Sequence, residues 1–112
     1  MYKLNRNTGG KQMLIINKKV ENKKATLAPE GRLDTITAPD MEKAINEVLS
    51  GIDELELDFK CLEYISSAGL RVLLSAQKAM NKQGKMTIRG VNETIMEVFE
   101  VTGFSDILSI EK

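Results

Sequence analysis

The chain has 112 residues, 42% of them apolar, and its 16 basic and 16 acidic residues cancel. That length suits one domain with one core, and a neutral balance lacks the concentrated positive face that nucleic-acid binding needs. With no histidine and a single cysteine, Cys61, the chain has no ligands for a zinc site of the usual kind and no internal disulfide.

Aromatic residues make up only 4%, so the core must be built from Leu, Ile, Val, Met and Ala. Met1 to Gln12, which contains Asn7-Thr8-Gly9-Gly10-Lys11, shows neither periodicity nor the apolar region of a signal peptide. It reads as a flexible leader or an expression-derived segment (residues 1–12), with the ordered domain over 13–112 and Met13 a candidate native start. From Met13 to Val20, Leu14, Ile16 and Val20 recur on one face of a strand. A polar turn over Glu21 to Lys24 leads to a second strand, Ala25 to Arg32. Pro29 has no N–H for a ladder and therefore marks a sheet edge or a bulge. Gly31-Arg32-Leu33-Asp34 ends that strand in a loop.

Thr37-Ala38-Pro39-Asp40 reads as a helix start, with Thr37 as N-cap and Asp40 closing a capping box. Met41, Ala44, Ile45, Val48, Leu49 and Ile52 then form one apolar stripe. Glu54 to Lys60 alternates acidic and apolar residues, a strand with Leu55, Leu57 and Phe59 on one face. Cys61 reads as a small apolar residue near that strand's end. A second helix runs from about Ser67 to Gln83, with Leu70, Leu73, Leu74, Ala76 and Met80 inward and Gly84 as its stop. Lys85 to Arg89 is a short strand. A third helix spans Asn92 to Thr102 with Asn92 as cap, and Ile107 to Ile110 adds a last short strand. Strands alternating with helices imply βαβ units. The expected fold class is α/β: one mixed four- to five-stranded sheet packed with about three main helices.

The richest segment is Tyr64-Ile65-Ser66-Ser67-Ala68-Gly69-Leu70, where a strand hands over to the second helix. A helix N-terminus carries unpaired N–H groups and partial positive charge. Serine there serves as a cap, and a phosphate on it would be electrostatically favoured. Ser67 therefore reads either as an ordinary N-cap or as a phosphoacceptor. Ser66 reads as local hydrogen-bonding support or a second acceptor, and Asp34 as a turn residue or a partner contact. Ala68 and Gly69 either pack tightly against the sheet or let a partner approach the backbone.

The order of Gly31-Arg32-Leu33-Asp34, Thr37-Ala38, Leu55 to Phe59, Tyr64 to Leu70, the Lys82-Gln83-Gly84-Lys85 turn and Val101-Thr102-Gly103-Phe104 resembles the STAS domain of anti-sigma factor antagonists. The resemblance covers about residues 13–110. It implies a cytoplasmic anti-anti-sigma factor that binds an anti-sigma factor kinase when unphosphorylated, freeing the sigma factor. The kinase, which holds the ATP, would phosphorylate Ser67, and a serine phosphatase would reverse the step. Asp34, Ser66, Ser67, Ala68 and Gly69 would be the partner-binding residues. Two positions depart from the family's pattern: Ser66 stands where aspartate is common, and Arg32 where glutamate is common.

The resemblance implies no cofactor of the chain's own, and no stretch approaches the ~20 apolar residues of a membrane helix, so no insertion into a membrane is expected. A phosphorylation-independent STAS scaffold within a larger signalling or transport assembly is the alternative. Serine-dependent catalysis is the reading from another class, and it lacks a histidine base, a GxSxG elbow and a Walker A loop.

Overall fold

A computed structural model describes residues 2–8 and 12–111, with side chains from Leu14 onward. The strands are β1 (Tyr2–Thr8), β2 (Gln12–Glu21), β3 (Lys24–Leu33), β4 (Glu54–Asp58), β5 (Leu62–Ile65), β6 (Lys85–Arg89) and β7 (Ile110–Glu111). The helices are α1 (Ala38–Leu49), α2 (Ser67–Asn81) and α3 (Glu93–Thr102), followed by a 3-10 turn at Phe104–Asp106. One mixed sheet has the order β1-β2-β3-β4-β6-β7, and β5 pairs with β3 further along the same edge as β4. The α/β class stands as expected. The sheet has more strands than expected because β4 and β5 follow one another along β3, and because β1 adds an edge.

Tyr2–Thr8 falls in the segment read from the sequence as a flexible leader, yet its backbone pairs antiparallel with β2, from Tyr2 opposite Lys18 to Thr8 opposite Gln12. An edge strand offers a row of free N–H and C=O groups, and pairing needs no apolar periodicity from the added chain. The sheet therefore begins before Met13. Residues 1 and 9–11 lie outside the described residues.

Alternation sorts the sheet into two faces. Leu14, Ile16, Ala25, Leu27, Leu55, Leu57, Met86 and Ile88 are buried on one face. Helices α1 and α2 pack against each other there, bringing Met41, Ala44, Ile45, Leu73, Ala76 and Met80 into a single core. Ile95 and Phe99 of α3 complete the core beside β5. Each fully buried Leu, Ile or Phe side chain contributes roughly 1.5–3 kcal/mol. Asn92 caps α3 as expected, its side-chain oxygen accepting from the Ile95 N–H at 2.8 Å, and Gly103 closes the helix at φ 82°. Met96 is only partly buried.

Pro29 is not on an edge. It is buried in β3, opposite Ile16 of β2. On the other side, β3 leaves β4 at Leu27 and meets β5 only at Gly31, with a register shift between Gly31 and Arg32. A residue without an N–H is tolerated where the ladder is already interrupted. In the same break, Cys61 sits exposed in the turn between β4 and β5, not inward as a small apolar residue.

Candidate functional site

β3 and β5 run parallel and end together. Arg32 lies beside Tyr64 and Leu33 beside Ile65. The Ser66 N–H donates to the Leu33 carbonyl at 2.9 Å, one step beyond the ladder. Leu33 and Ile65 are both buried. The first residues past each strand, Asp34 and Ser66, are thus brought side by side although 32 positions apart. The ends of parallel strands are the usual place for ligands in open α/β sheets.

The loop after β3 is organised by Asp34. Its Oδ1 accepts from the N–H of Ile36 at 3.0 Å and from the N–H of Thr37 at 3.2 Å. Thr37 occupies the N-cap position of α1, but its hydroxyl does not cap the helix as expected. It lies 2.7 Å from the Arg32 carbonyl, to which it donates, and 2.9 Å from the Asp34 N–H, from which it accepts. Buried to 2% exposure, it satisfies the loop behind it and not the helix ahead. The turn role read for Asp34 is therefore real.

The N-cap of α2 is Ser66, not Ser67. Ser66 has extended backbone, φ −104° and ψ 179°, and its carbonyl accepts the first helical bond from the Leu70 N–H. Its Oγ is buried and, among the described residues, has no hydrogen-bond partner. Ser67 is the first helical residue and is exposed. Ala68 is half-buried against the core. Gly69 faces the sheet and is buried: a Cβ there would lie 2.7 Å from Ile65 Cγ1, 2.9 Å from Leu33 Cγ and 3.1 Å from the Leu33 carbonyl oxygen. Its place is packing, letting α2 start close to both strands.

The model for the STAS domain matches residues 16–112. The chain belongs to the STAS domain family. It is 33% identical over 84 residues to the anti-sigma-B factor antagonist of Listeria monocytogenes, covering 72% of this chain and 73% of that protein. Its fold is similar to that of an anti-sigma factor antagonist from Mycobacterium paratuberculosis, with a TM-score of 0.79 at 19% identity, covering 87% and 84% of the two chains. It is also similar to the Bacillus cell fate determinant SpoIIAA in the phosphorylated form, with a TM-score of 0.68 at 15% identity, covering 87% and 91%.

Two features of this STAS domain escaped the sequence reading. The Arg32 guanidinium stacks over the Tyr64 ring at 4.4 Å, with its Nε 3.9 Å from Asp34 Oδ2. Ile36, at the tip of the Asp34 loop, is 54% exposed. The Asp-x-x-Thr spacing was the available signal for that loop, since Asp side chains bond backbone N–H groups two and three residues on. The Arg32–Tyr64 stack depends on the pairing of β3 with β5, for which no local signal exists.

The sheet face away from α1 and α2 carries a different polar cluster. Lys24 of β3 lies 3.0 Å from Glu56 and 3.7 Å from Glu54 of β4, and Arg89 of β6 pairs with Glu56 and, at 3.8 Å, with Asp58. Burial alone would raise the Glu56 carboxyl, but the hydrogen bonds from Lys24 and Arg89 outweigh it and hold the group below its ordinary value. Lys24 and Arg89 are both raised, chiefly by their hydrogen bonds to Glu56. Among the described residues, no group of three or more His, Cys, Asp or Glu side chains is placed to hold a metal ion, and no helix is long and apolar enough to cross a membrane.

Proposed function

We propose that this STAS domain is a cytoplasmic anti-sigma factor antagonist switched by phosphorylation of Ser67. Unphosphorylated, it binds an anti-sigma factor that is also a serine kinase, and the sigma factor is released. The kinase, holding the ATP, transfers the γ-phosphoryl group to Ser67 Oγ; the hydroxyl proton leaves and ADP remains. A serine phosphatase returns the hydroxyl by hydrolysis. The domain acts as a binding module and not as an enzyme.

One observation carries the reading: of the two serines at the start of α2, the Ser67 side chain is open to solvent while the Ser66 Oγ is buried. A kinase needs the exposed one. The N-terminus of a 15-residue helix favours the added anion. The similarity to the Listeria anti-sigma-B factor antagonist supports the choice of partner. Partner binding is assigned to residues 13–112; removing residues 1–12, which takes away the edge strand β1, should leave partner binding within about twofold, a change well under the 1.4 kcal/mol of a tenfold step.

The test is to incubate the protein with the host's anti-sigma factor kinase and ATP, map the phosphate by mass spectrometry, and titrate both forms against the kinase. Phosphate on Ser67 with tight binding only before phosphorylation is expected. Phosphate chiefly on Ser66 overturns the site. Binding without any phosphorylation replaces the switch with a scaffold.

A further inference from the structure

We propose that Ile36 and Arg32 form the specificity-determining contact of this site, and that the partner protein meets them with an apolar pocket bearing a carboxylate at its rim. The inference rests on the proposed function for the partner's identity and adds the chemistry by which that partner is chosen.

Ile36 is an apolar side chain 54% exposed at a loop tip, where an isolated isoleucine gains nothing from water. Its loop is held from both ends. Asp34 Oδ1 takes the Ile36 and Thr37 N–H groups, and the buried Thr37 hydroxyl ties the Arg32 carbonyl to the Asp34 N–H. The side chain is therefore presented by an ordered backbone, and docking it costs little additional chain entropy. Such preorganised apolar anchors in a polar rim dominate many interfaces.

Arg32 supplies the polar half. Its side chain is 51% exposed, yet the Tyr64 ring beneath it at 4.4 Å and Asp34 Oδ2 at 3.9 Å restrict the guanidinium. Arginine stacked on an aromatic keeps its outward N–H groups for a planar acceptor, and a carboxylate is the complementary one. The loop leaves β3 immediately after Arg32-Leu33, and Leu33 pairs with Ile65, next to Ser66 and Ser67. A partner that reaches Ser67 therefore meets this anchor and this cation on the neighbouring strand end. A partner with a basic group at the same place would be rejected by like charge.

The test titrates the unphosphorylated full chain and its variants calorimetrically against the host's anti-sigma factor kinase, with circular dichroism as a control for fold. Ile36→Ser should weaken binding about tenfold or more, as for a central anchor. Arg32→Glu should weaken it by at least as much, through loss of the pair and new repulsion. Arg32→Gln should flatten the salt dependence of the affinity, and Arg32→Lys should restore the salt dependence without the full affinity. Wild-type binding with Ile36→Ser and Arg32→Glu within about twofold of it overturns the docking surface alone, since such a change is far from an anchor's tenfold. Absence of wild-type binding overturns the proposed function and this inference together.

Discussion

The open face of the sheet and the ends of β3 and β5 are both polar, and they use polarity in opposite ways. On the open face, Lys24, Glu54, Glu56, Asp58 and Arg89 answer one another across three adjacent strands. Each charge finds its partner inside the domain. At the strand ends, the partly exposed Asp34 and the buried Thr37 also satisfy one another, but only to hold the loop. What faces solvent there is the Ser67 side chain, the Ile36 side chain and the outward edge of Arg32. A self-answering cluster pins strand register and keeps a sheet face soluble. A surface that holds its scaffold rigid and leaves chemically distinct groups outside is suited to meet another molecule.

That contrast breaks or sharpens under four changes, the largest of them at Ser67. Phosphorylation adds about −1.5 to −2 charge. At the helix N-terminus the charge is favourable by up to about 1 kcal/mol, so the fold should not change. Against a partner fitted to a neutral hydroxyl the phosphate must lose its water, and the affinity should fall about a hundredfold or more, where every 1.4 kcal/mol is tenfold. Ser67→Asp should stay folded by circular dichroism and bind weakly, while Ser67→Ala should bind and resist the kinase. Normal binding by the phosphorylated protein would erase the distinction between the two regions.

Next in size is Gly69→Ala. The new methyl meets Ile65 and Leu33 below 3.0 Å and the Leu33 carbonyl at 3.1 Å. Overpacking of this kind costs roughly 1–3 kcal/mol, read as a lower midpoint in urea unfolding. An unchanged midpoint would mean that α2 sits away from the strands without cost. Asp34→Ala comes third. It strands the N–H groups of Ile36 and Thr37, and a loss of about 1–2 kcal/mol is expected from the hydrogen bonds involved. Hydrogen exchange should rise at Ile36 and Thr37 first, because the loop opens before the sheet.

The smallest effect belongs to the open face and depends on pH. Glu56 is held below its ordinary value of 4.5 when folded. The unfolded chain therefore binds the proton more readily, and the group's contribution is complete above that ordinary value and lost as pH falls through the lower folded one. Glu56→Gln should flatten the acid limb of stability and leave neutral-pH partner binding unchanged. An effect of Glu56→Gln on binding would show that the open face is not self-contained.

Much of the fold was legible because its causes are local. Alternation in Glu54 to Phe59, the stripe from Met41 to Val48, the Asn92 cap and the Gly103 stop each follow from spacing and side-chain chemistry within a few residues. The serine pair and the aspartate of the site were legible as residues for the same reason. Their arrangement was not. Which serine caps α2 depends on where β5 ends, and β5 ends where Ser66 donates to Leu33, a contact across 33 positions. Pro29 was read as a sheet edge or a bulge, but its tolerance is set by the gap between two strands that lie later in the chain. Cys61 turns outward because that same gap makes a turn. Strand β1 joins through backbone groups that every residue carries, so no side-chain pattern announces it. The sequence by itself determined the three helices, the strands β2, β3, β4 and β6, their order and the chemistry available at the helix start. Only the tertiary structure decided which hydroxyl is open, which glycine is buried and which cation stands beside them, because pairing between distant strands sets those distances and local preference does not reach that far.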